Sequence, residues 1–154
     1  MIEIDHLDRK ILKQLQISCD QSLDQLGTAV GLSRKAVWRR IKALEDQAVI
    51  TGRVALVNPE KLGLGLLVFI QIKTAQHSVD WTRKLAQTAA AIPQVMGLYR
   101  TSGDLDYLIK AHVADIADYD RLYQRLISAL PLMDVSACFA TESIKDSTEV
   151  PVFM

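Results

Sequence analysis

Residues 22–42 have the sequence SLDQLGTAVGLSRKAVWRRIK, and this stretch decides how the N-terminal part of the chain folds. Ser22 and Gln25 have the spacing of a capping box, which predicts the start of a short helix. Gly31 suits the left-handed conformation that closes a helix, and Ser33 is placed to cap a second helix. A helix, a tight turn and a second helix in this order predict a helix-turn-helix.

The second predicted helix, at about residues 33–47, has two different faces when its residues are placed 100° apart. Val37, Ile41, Leu44 and Ala48 fall on one narrow face, which is predicted to be buried. The opposite side carries the basic residues Lys35, Arg39 and Lys42, with Arg34 and Trp38 on one flank. Cations near a helix N-terminus oppose the helix dipole, so this arrangement predicts that a phosphate binds there. A solvated cationic helix face is the alternative.

The composition restricts the class of protein. The chain has 154 residues, of which 49% are hydrophobic, and its formal net charge is zero. Any affinity for nucleic acid must therefore come from local segregation of charge. Cys19 and Cys138 are far apart and form no CxxC pair, which argues against a disulfide framework or a zinc site. The acidic first five residues do not resemble a signal peptide, and the apolar stretch 62–72 is too short to span a bilayer, so we expect a cytoplasmic protein without a membrane partner.

The first domain is predicted to be a winged helix-turn-helix over residues 1–57. An apolar stripe in residues 7–15 predicts another helix before the helix-turn-helix. The short segments 49–50 and 53–57 flank a Thr-Gly turn and predict a small β-wing. Asn-Pro and Gly residues within 58–64 predict a linker.

Residues 65–154 are predicted to form a second domain of α+β class. Strands are expected at 66–72, 95–101, 107–113 and 135–144, with helices opening at Ser78 and Asp115 and ending before Pro93 and Pro131. This βαββαβ order predicts a ferredoxin-like domain, an antiparallel sheet with helices on one face. We expect the other face to carry apolar residues such as Val68 or Phe69 and to meet a second copy of the chain.

Six short motifs occur in a specific order. They are LDRKIL at 7–12, GLS at 31–33, RRIKALE at 39–45, PEKLG at 59–63, SGDLDY at 102–107, and Ile144-Lys145 with Pro151. Along nearly its whole length the chain resembles the Lrp/AsnC (feast/famine) family of prokaryotic transcription regulators. The resemblance implies a sequence-specific DNA-binding regulator with a sensor domain that dimerises through its sheet. It also implies assembly of dimers into octamers and binding of an amino acid between neighbouring sensor domains.

The resemblance assigns the DNA contacts to the second helix. The predicted DNA-binding residues are Ser33, Arg34, Lys35, Trp38, Arg39, Arg40 and Lys42. Lys35 and Arg39 are the candidates for base edges, because a basic side chain can meet guanine O6 and N7. Arg34 and Arg40 are assigned to phosphates. Trp38 is equally compatible with packing at the edge of the core, and Arg40 with an intramolecular ion pair to an acid of the first helix.

The second predicted site takes an amino acid as effector. Its residues are Ser102, Gly103, Asp104, Leu105, Asp106 and Ala137. Gly103 permits backbone amides to point together and bind the carboxylate of the effector. Asp104 and Asp106 are expected to bind its ammonium group. A plain Gly-Asp turn between two strands is the alternative. The family often has a hydroxyl residue at the position of Ala137, so one ligand contact is expected to be missing.

Two residues depart from what the local structure favours. Ala48 stands where the family usually has Gly after the recognition helix, and an Ala in a left-handed cap costs about 1 kcal/mol. Gly27, inside a predicted helix, costs up to about 1 kcal/mol relative to Ala.

Enzymes are the main alternative class. The sequence contains no GxSxG, P-loop or HExxH motif, and His6, His77 and His112 have no ligand spacing, so no cofactor, metal or catalytic residue is predicted. Tetrapyrrole (sirohaem) decarboxylases share the same two-domain architecture, but the acidic residues near Gly103 do not suit propionate groups. An architectural DNA-binding protein without an effector is a further alternative.

Overall fold

A computed structural model describes residues 4–153; residues 1–3 and 154, at the outer ends of the two predicted domains, lie outside the described part. The chain divides into two compact units. The first contains the residues up to Leu56 together with those from Lys145 onward, and the second is Val57–Ile144. The sequence assigns residues 145–154 to the second domain, whereas the structure places the described residues 145–153 with the first unit.

The first unit contains the helices that the sequence predicts. They are α1 (His6–Ile17), α2 (Leu23–Val30) and α3 (Arg34–Asp46). Capping boxes open α1 at Asp5 and α2 at Ser22, and Ser33 caps α3. Gly31 closes α2 at φ 75°, so the tight turn between α2 and α3 depends on a residue without a side chain. The predicted helix-turn-helix is confirmed.

The core of this unit joins the apolar stripes of its helices. Its buried residues are Ile11, Leu26, Val30, Val37 and Ile41, and Leu44 of α3 is buried as well. The assignment of Ala48 to the same stripe was wrong, because Ala48 lies beyond the end of α3 and is exposed. Its φ of 55° is left-handed, as expected for the residue that replaces a family glycine.

The predicted wing does not form as a β-hairpin. Residues 51–58 have no regular secondary structure, and Val54, Leu56 and Val57 are exposed. A two-stranded hairpin without a third strand or an apolar layer beneath it is marginally stable, so β propensity alone does not form one here. The described anchor of this segment is the ion pair between Arg53 and Glu45 of α3, at 2.7 Å.

The second unit has the predicted ferredoxin-like order. Its elements are β1 (Leu66–Lys73), α4 (Val79–Ala90), β2 (Val95–Arg100), β3 (Tyr107–Val113), α5 (Ile116–Ala129) and β4 (Asp134–Phe139), preceded by a short 3-10 turn at Glu60–Leu62. The sheet has the order β2-β3-β1-β4 with antiparallel pairs throughout. The fold class is confirmed, although β4 ends at Phe139 rather than near residue 144.

Alternation along β1 assigns the two faces of the sheet. Val68, Ile70 and Ile72 are fully buried in a core that also contains residues of α4 and α5. Phe69 alternates with them and therefore points to the other face. Of the two residues expected on the open face, Phe69 lies there and Val68 does not.

Candidate nucleic-acid interface and effector loop

The start of α3 carries the predicted DNA-facing residues. The Ser33 hydroxyl accepts a hydrogen bond from the Ala36 amide at 3.3 Å, so this side chain caps the helix. Lys35 and Arg39 follow four residues apart, and both are exposed. This spacing puts their side chains on the same face, one helical turn apart.

Two cations of this region, Arg34 and Lys42, lie in exposed ion pairs. Arg34 pairs with Asp24 of α2 at 3.0 Å, and Lys42 pairs with Asp46 at 2.7 Å. The hydrogen bond to Asp46 raises the pKa of Lys42 above its ordinary value. Each carboxylate cancels part of the attraction that its cation would exert on a phosphate, but such exposed pairs are weak and readily exchanged.

Arg40 lies in an intramolecular ion pair, the alternative that the sequence left open. Its guanidinium donates to Asp5 and to Asp8 of α1, both at 2.7 Å, and its side chain is 24% exposed. Hydrogen bonds to its carboxylate lower the pKa of Asp5, the one from the Asp8 amide most and the one from Arg40 next. The structure therefore assigns Arg40 to the α1–α3 contact and does not favour the predicted phosphate contact.

Lys35 and Arg39 differ from these cations. Within residues 4–153, neither takes part in an ion pair or a side-chain hydrogen bond. Trp38, between them in sequence, is 56% exposed rather than part of the core, and it lines a cleft with Arg34 and Lys42. The exposed side of α3 thus presents an unpaired basic pair beside an aromatic ring.

Gly27 has a role that the sequence analysis missed. A Cβ atom at this position would lie 2.5 Å from the Leu32 carbonyl oxygen. The Leu32 amide also donates to the Gly27 carbonyl at 2.9 Å, so the turn folds directly against α2. A glycine six residues before a helix cap was the available signal, since a helix interior tolerates glycine only where something else requires it.

The predicted effector loop joins β2 to β3. Gly103 has a φ of 113°, and a Cβ there would meet nothing within 4 Å. The Thr101 hydroxyl donates to the Leu105 carbonyl at 2.6 Å, which closes the loop around Ser102, Gly103 and Asp104. Gly103 is thus needed for its backbone conformation and not for space.

Asp106 ties this loop to the end of β1. Its carboxylate accepts a hydrogen bond from the Thr74 amide at 2.8 Å, and its own amide donates to the Ile72 carbonyl at 3.0 Å. Its second carboxylate oxygen lies 4.0 Å from Nδ1 of His77. Asp104 is exposed and has no ion pair among the described residues. The two acids are therefore not equivalent, because Asp106 is held by the Thr74 amide and Asp104 is exposed to solvent.

Ala137 occupies a different environment from the loop. It pairs with Ile70 across β1 and β4, and it packs against the core on the side of the helices. The structure brings Thr74 and His77, which the sequence analysis did not select, to Asp106 instead. No periodic pattern marks these two residues, because both lie in the turn after β1.

The described residues 4–153 contain neither a metal-ligand cluster nor a helix able to cross a membrane. They contain no cluster of three or more His, Cys, Asp or Glu side chains that could hold a metal ion. In the same part of the chain, no helix is long and apolar enough to cross a membrane.

Family models match both units, and the second match extends to residue 150, into the segment that the structure places with the first unit. The AsnC-type helix-turn-helix domain matches residues 4–45, and the Lrp/AsnC ligand binding domain matches residues 67–150. The chain belongs to the Lrp/AsnC family. As a member of this family it is a DNA-binding transcriptional regulator, and the comparisons do not support the tetrapyrrole decarboxylase alternative.

Individual Lrp/AsnC proteins match over almost the entire chain. The DNA-binding transcriptional activator DecR of Escherichia coli is 43% identical, over 97% of this chain and 99% of its own. The structure of an AsnC family regulator from Agrobacterium tumefaciens is 44% identical and covers 96% of both chains, with a TM-score of 0.92. A transcriptional regulator from Neisseria meningitidis, solved as a complex with L-Met, is 29% identical and covers 97% of both chains, also with a TM-score of 0.92.

Proposed function

We propose that this Lrp/AsnC regulator reads its operator with Lys35 and Arg39 of α3. The observation that carries this assignment is the absence of any carboxylate partner for these two cations among the described residues, whereas Arg34 and Lys42 each have one and Arg40 has two. An unpaired cation has no intramolecular interaction to give up when it meets guanine O6 and N7. A homodimer would place two such helices in successive major grooves, about one helical turn apart.

Arg34 and Lys42 have a secondary role in this proposal. Their ion pairs with Asp24 and Asp46 are exposed on both sides, so a DNA phosphate can replace the carboxylate at little cost. Ser33 is occupied as a cap and contributes through the helix N-terminus. These contacts hold the protein on DNA without reading its sequence.

The sensor unit is proposed to bind an amino acid at the 101–106 loop. The amides around Gly103 would hold the carboxylate of the ligand, and Asp104 its ammonium group. Asp106 keeps the loop fixed to β1 through Thr74 and is not itself a ligand in this proposal. The complex of the Neisseria meningitidis relative with L-Met supports an amino acid as the class of effector. The regulator is proposed to act in the cytoplasm, without catalysis, as a homodimer or as an octamer assembled from dimers.

DNA binding is tested by fluorescence anisotropy on duplex DNA from upstream of the regulator's own gene. Lys35→Ala and Arg39→Ala should each weaken specific binding by roughly 1–3 kcal/mol. Lys84→Ala, which removes an exposed cation of α4, is the matched control and should bind like the wild type. If both α3 variants keep the affinity of the wild type for operator DNA, the assigned reading face is wrong.

The effector is tested by repeating the titration in the presence of each common amino acid. One amino acid should change the affinity for DNA, and Gly103→Arg and Asp104→Asn should remove that change without altering affinity in its absence. Binding that ignores every amino acid would make the protein an architectural or constitutive regulator. A response that persists in Gly103→Arg would place the pocket elsewhere.

A further inference from the structure

The C-terminal segment 145–153 contacts α1 through a double hydrogen bond. The Gln16 side-chain amide donates to the Val150 carbonyl at 3.0 Å, and the Val150 amide donates to Oε1 of Gln16 at 2.7 Å. One side chain thereby satisfies both backbone groups of Val150. Because the recognition uses the backbone, it fixes the position of the segment on α1.

Arg9 makes a second attachment on the same face of α1, about two helical turns before Gln16. Its Nη1 donates to the Phe153 carbonyl at 2.7 Å, and its Nε donates to the Ile4 carbonyl at 3.2 Å. The side chains of Val150 and Phe153 nevertheless remain 69% and 76% exposed. At Val150 and Phe153 the segment is thus held by exposed hydrogen bonds, while Val152 between them is half-buried. Exposed hydrogen bonds of this kind contribute little net free energy, so this contact can open locally.

The course of the chain means that this contact adds a second connection between the two units. The chain leaves the first unit after Leu56 and returns to it at Lys145. While the C-terminal segment is docked, the second unit is connected to the DNA-binding unit at both of its ends. When the segment is released, the chain after Leu56 still connects the second unit to the helices of the first.

We propose that residues 145–153 form a detachable strap that restrains the helix-turn-helix unit through Gln16 and Arg9. The docked strap restricts the orientations of the reading helix relative to the sensor unit. Release of the strap returns that orientational freedom, which DNA binding must then remove. The strap is therefore a conformational device that changes DNA affinity without any contact to DNA.

Time-resolved fluorescence anisotropy tests this restraint on the full chain. A dye is attached at Ala29→Cys in α2, in a background where Cys19→Ser and Cys138→Ser remove the other thiols. Gln16→Ala should add a fast decay component, and a stop at Ser147, which deletes the rest of the strap, should increase its amplitude. Gln14→Ala is the matched control, since it removes the same kind of side chain from α1 without a described side-chain hydrogen bond.

Hydrogen exchange of the Val150 amide is a second readout. Its protection in the wild type does not depend on how the variants fold. The Val150 amide should exchange roughly 10-fold more slowly in the wild type than in Gln16→Ala, as expected for one hydrogen bond. An unprotected Val150 amide in the wild type would overturn the strap. So would an anisotropy decay that is identical in the wild type, Gln16→Ala and the truncated chain while all three keep the same circular dichroism.

Discussion

Arg40 of α3 donates to the carboxylate of Asp8 in α1 at 2.7 Å, and this contact joins the recognition helix to the first helix of the chain. Asp8 also closes the capping box at the start of α1 by accepting from the Asp5 amide. A single carboxylate thus stabilises a helix end and positions the helix that carries Lys35 and Arg39. We expect its removal to act on both stability and recognition.

Arg40→Gln should lower the free energy of unfolding of the helix-turn-helix unit by about 1–2 kcal/mol, because it leaves the partly buried Asp8 without its charged partner. Arg34→Gln is the control. It breaks a pair that is exposed on both sides, and it should cost no more than about 0.5 kcal/mol. Urea titration followed by circular dichroism compares the two variants, and equal midpoints would contradict the difference in burial.

Acid should destabilise the second unit through Asp118. The Ala114 amide lowers the pKa of this carboxyl below its ordinary value of 3.8, with further contributions from Gln94 and Arg121. A carboxyl group whose pKa is lowered in the folded state stabilises the protein at every pH above its ordinary pKa. This stabilisation is lost as the pH falls through the folded-state pKa. Thermal melts between neutral pH and pH 2 should show a steeper acid loss for the wild type than for Asp118→Asn. Parallel curves for the two proteins would refute this assignment.

Gly27→Ala should destabilise the protein, although alanine is the better helix former. The new methyl group would meet the Leu32 carbonyl oxygen at 2.5 Å, and overpacking of this kind costs about 1–3 kcal/mol. Gly52→Ala is the control, because nothing lies within 4 Å of a Cβ there. A melting temperature of Gly27→Ala equal to or above that of the wild type would show that the turn can move away from α2.

Ala48→Gly should stabilise the protein by about 0.5–1 kcal/mol, since Ala48 has a left-handed φ of 55° that glycine adopts without strain. Ala43→Gly, within the exposed part of α3, should destabilise it by about the same amount. The opposite signs for one and the same substitution separate the effect of backbone conformation from that of side-chain size. Two variants with the same sign would disprove the strain at Ala48.

Local patterns predicted the helices and the strand order correctly. Ser22, Gly31 and Ser33 act through backbone groups within a few residues, so their caps can be read from sequence. Alternation in β1 was also visible, but its phase was not, and Val68 was placed on the open face although it is fully buried. A shift by one residue exchanges the two faces of a strand, and the sequence carries no mark of which face the helices cover.

Contacts between distant residues could not be predicted in the same way. Arg40 lies 32 residues from Asp8, and Gln16 lies 134 residues from Val150. No spacing rule connects such positions, so the ion pair was one of two alternatives and the docked C-terminal segment was not foreseen. The wing failed for the opposite reason: its prediction used local β propensity alone, and residues 51–58 form no strand.

The return of the chain to the first unit after β4 matters for the construction of hybrid regulators. In connectivity, the sensor unit is an insertion into the DNA-binding unit, with junctions at Leu56/Val57 and Ile144/Lys145. A hybrid regulator built by one crossover in the linker would combine the helices of one parent with the terminal segment of the other. Exchange of effector specificity between relatives should therefore succeed best when residues 57–144 are grafted as a cassette and the native C-terminus is kept.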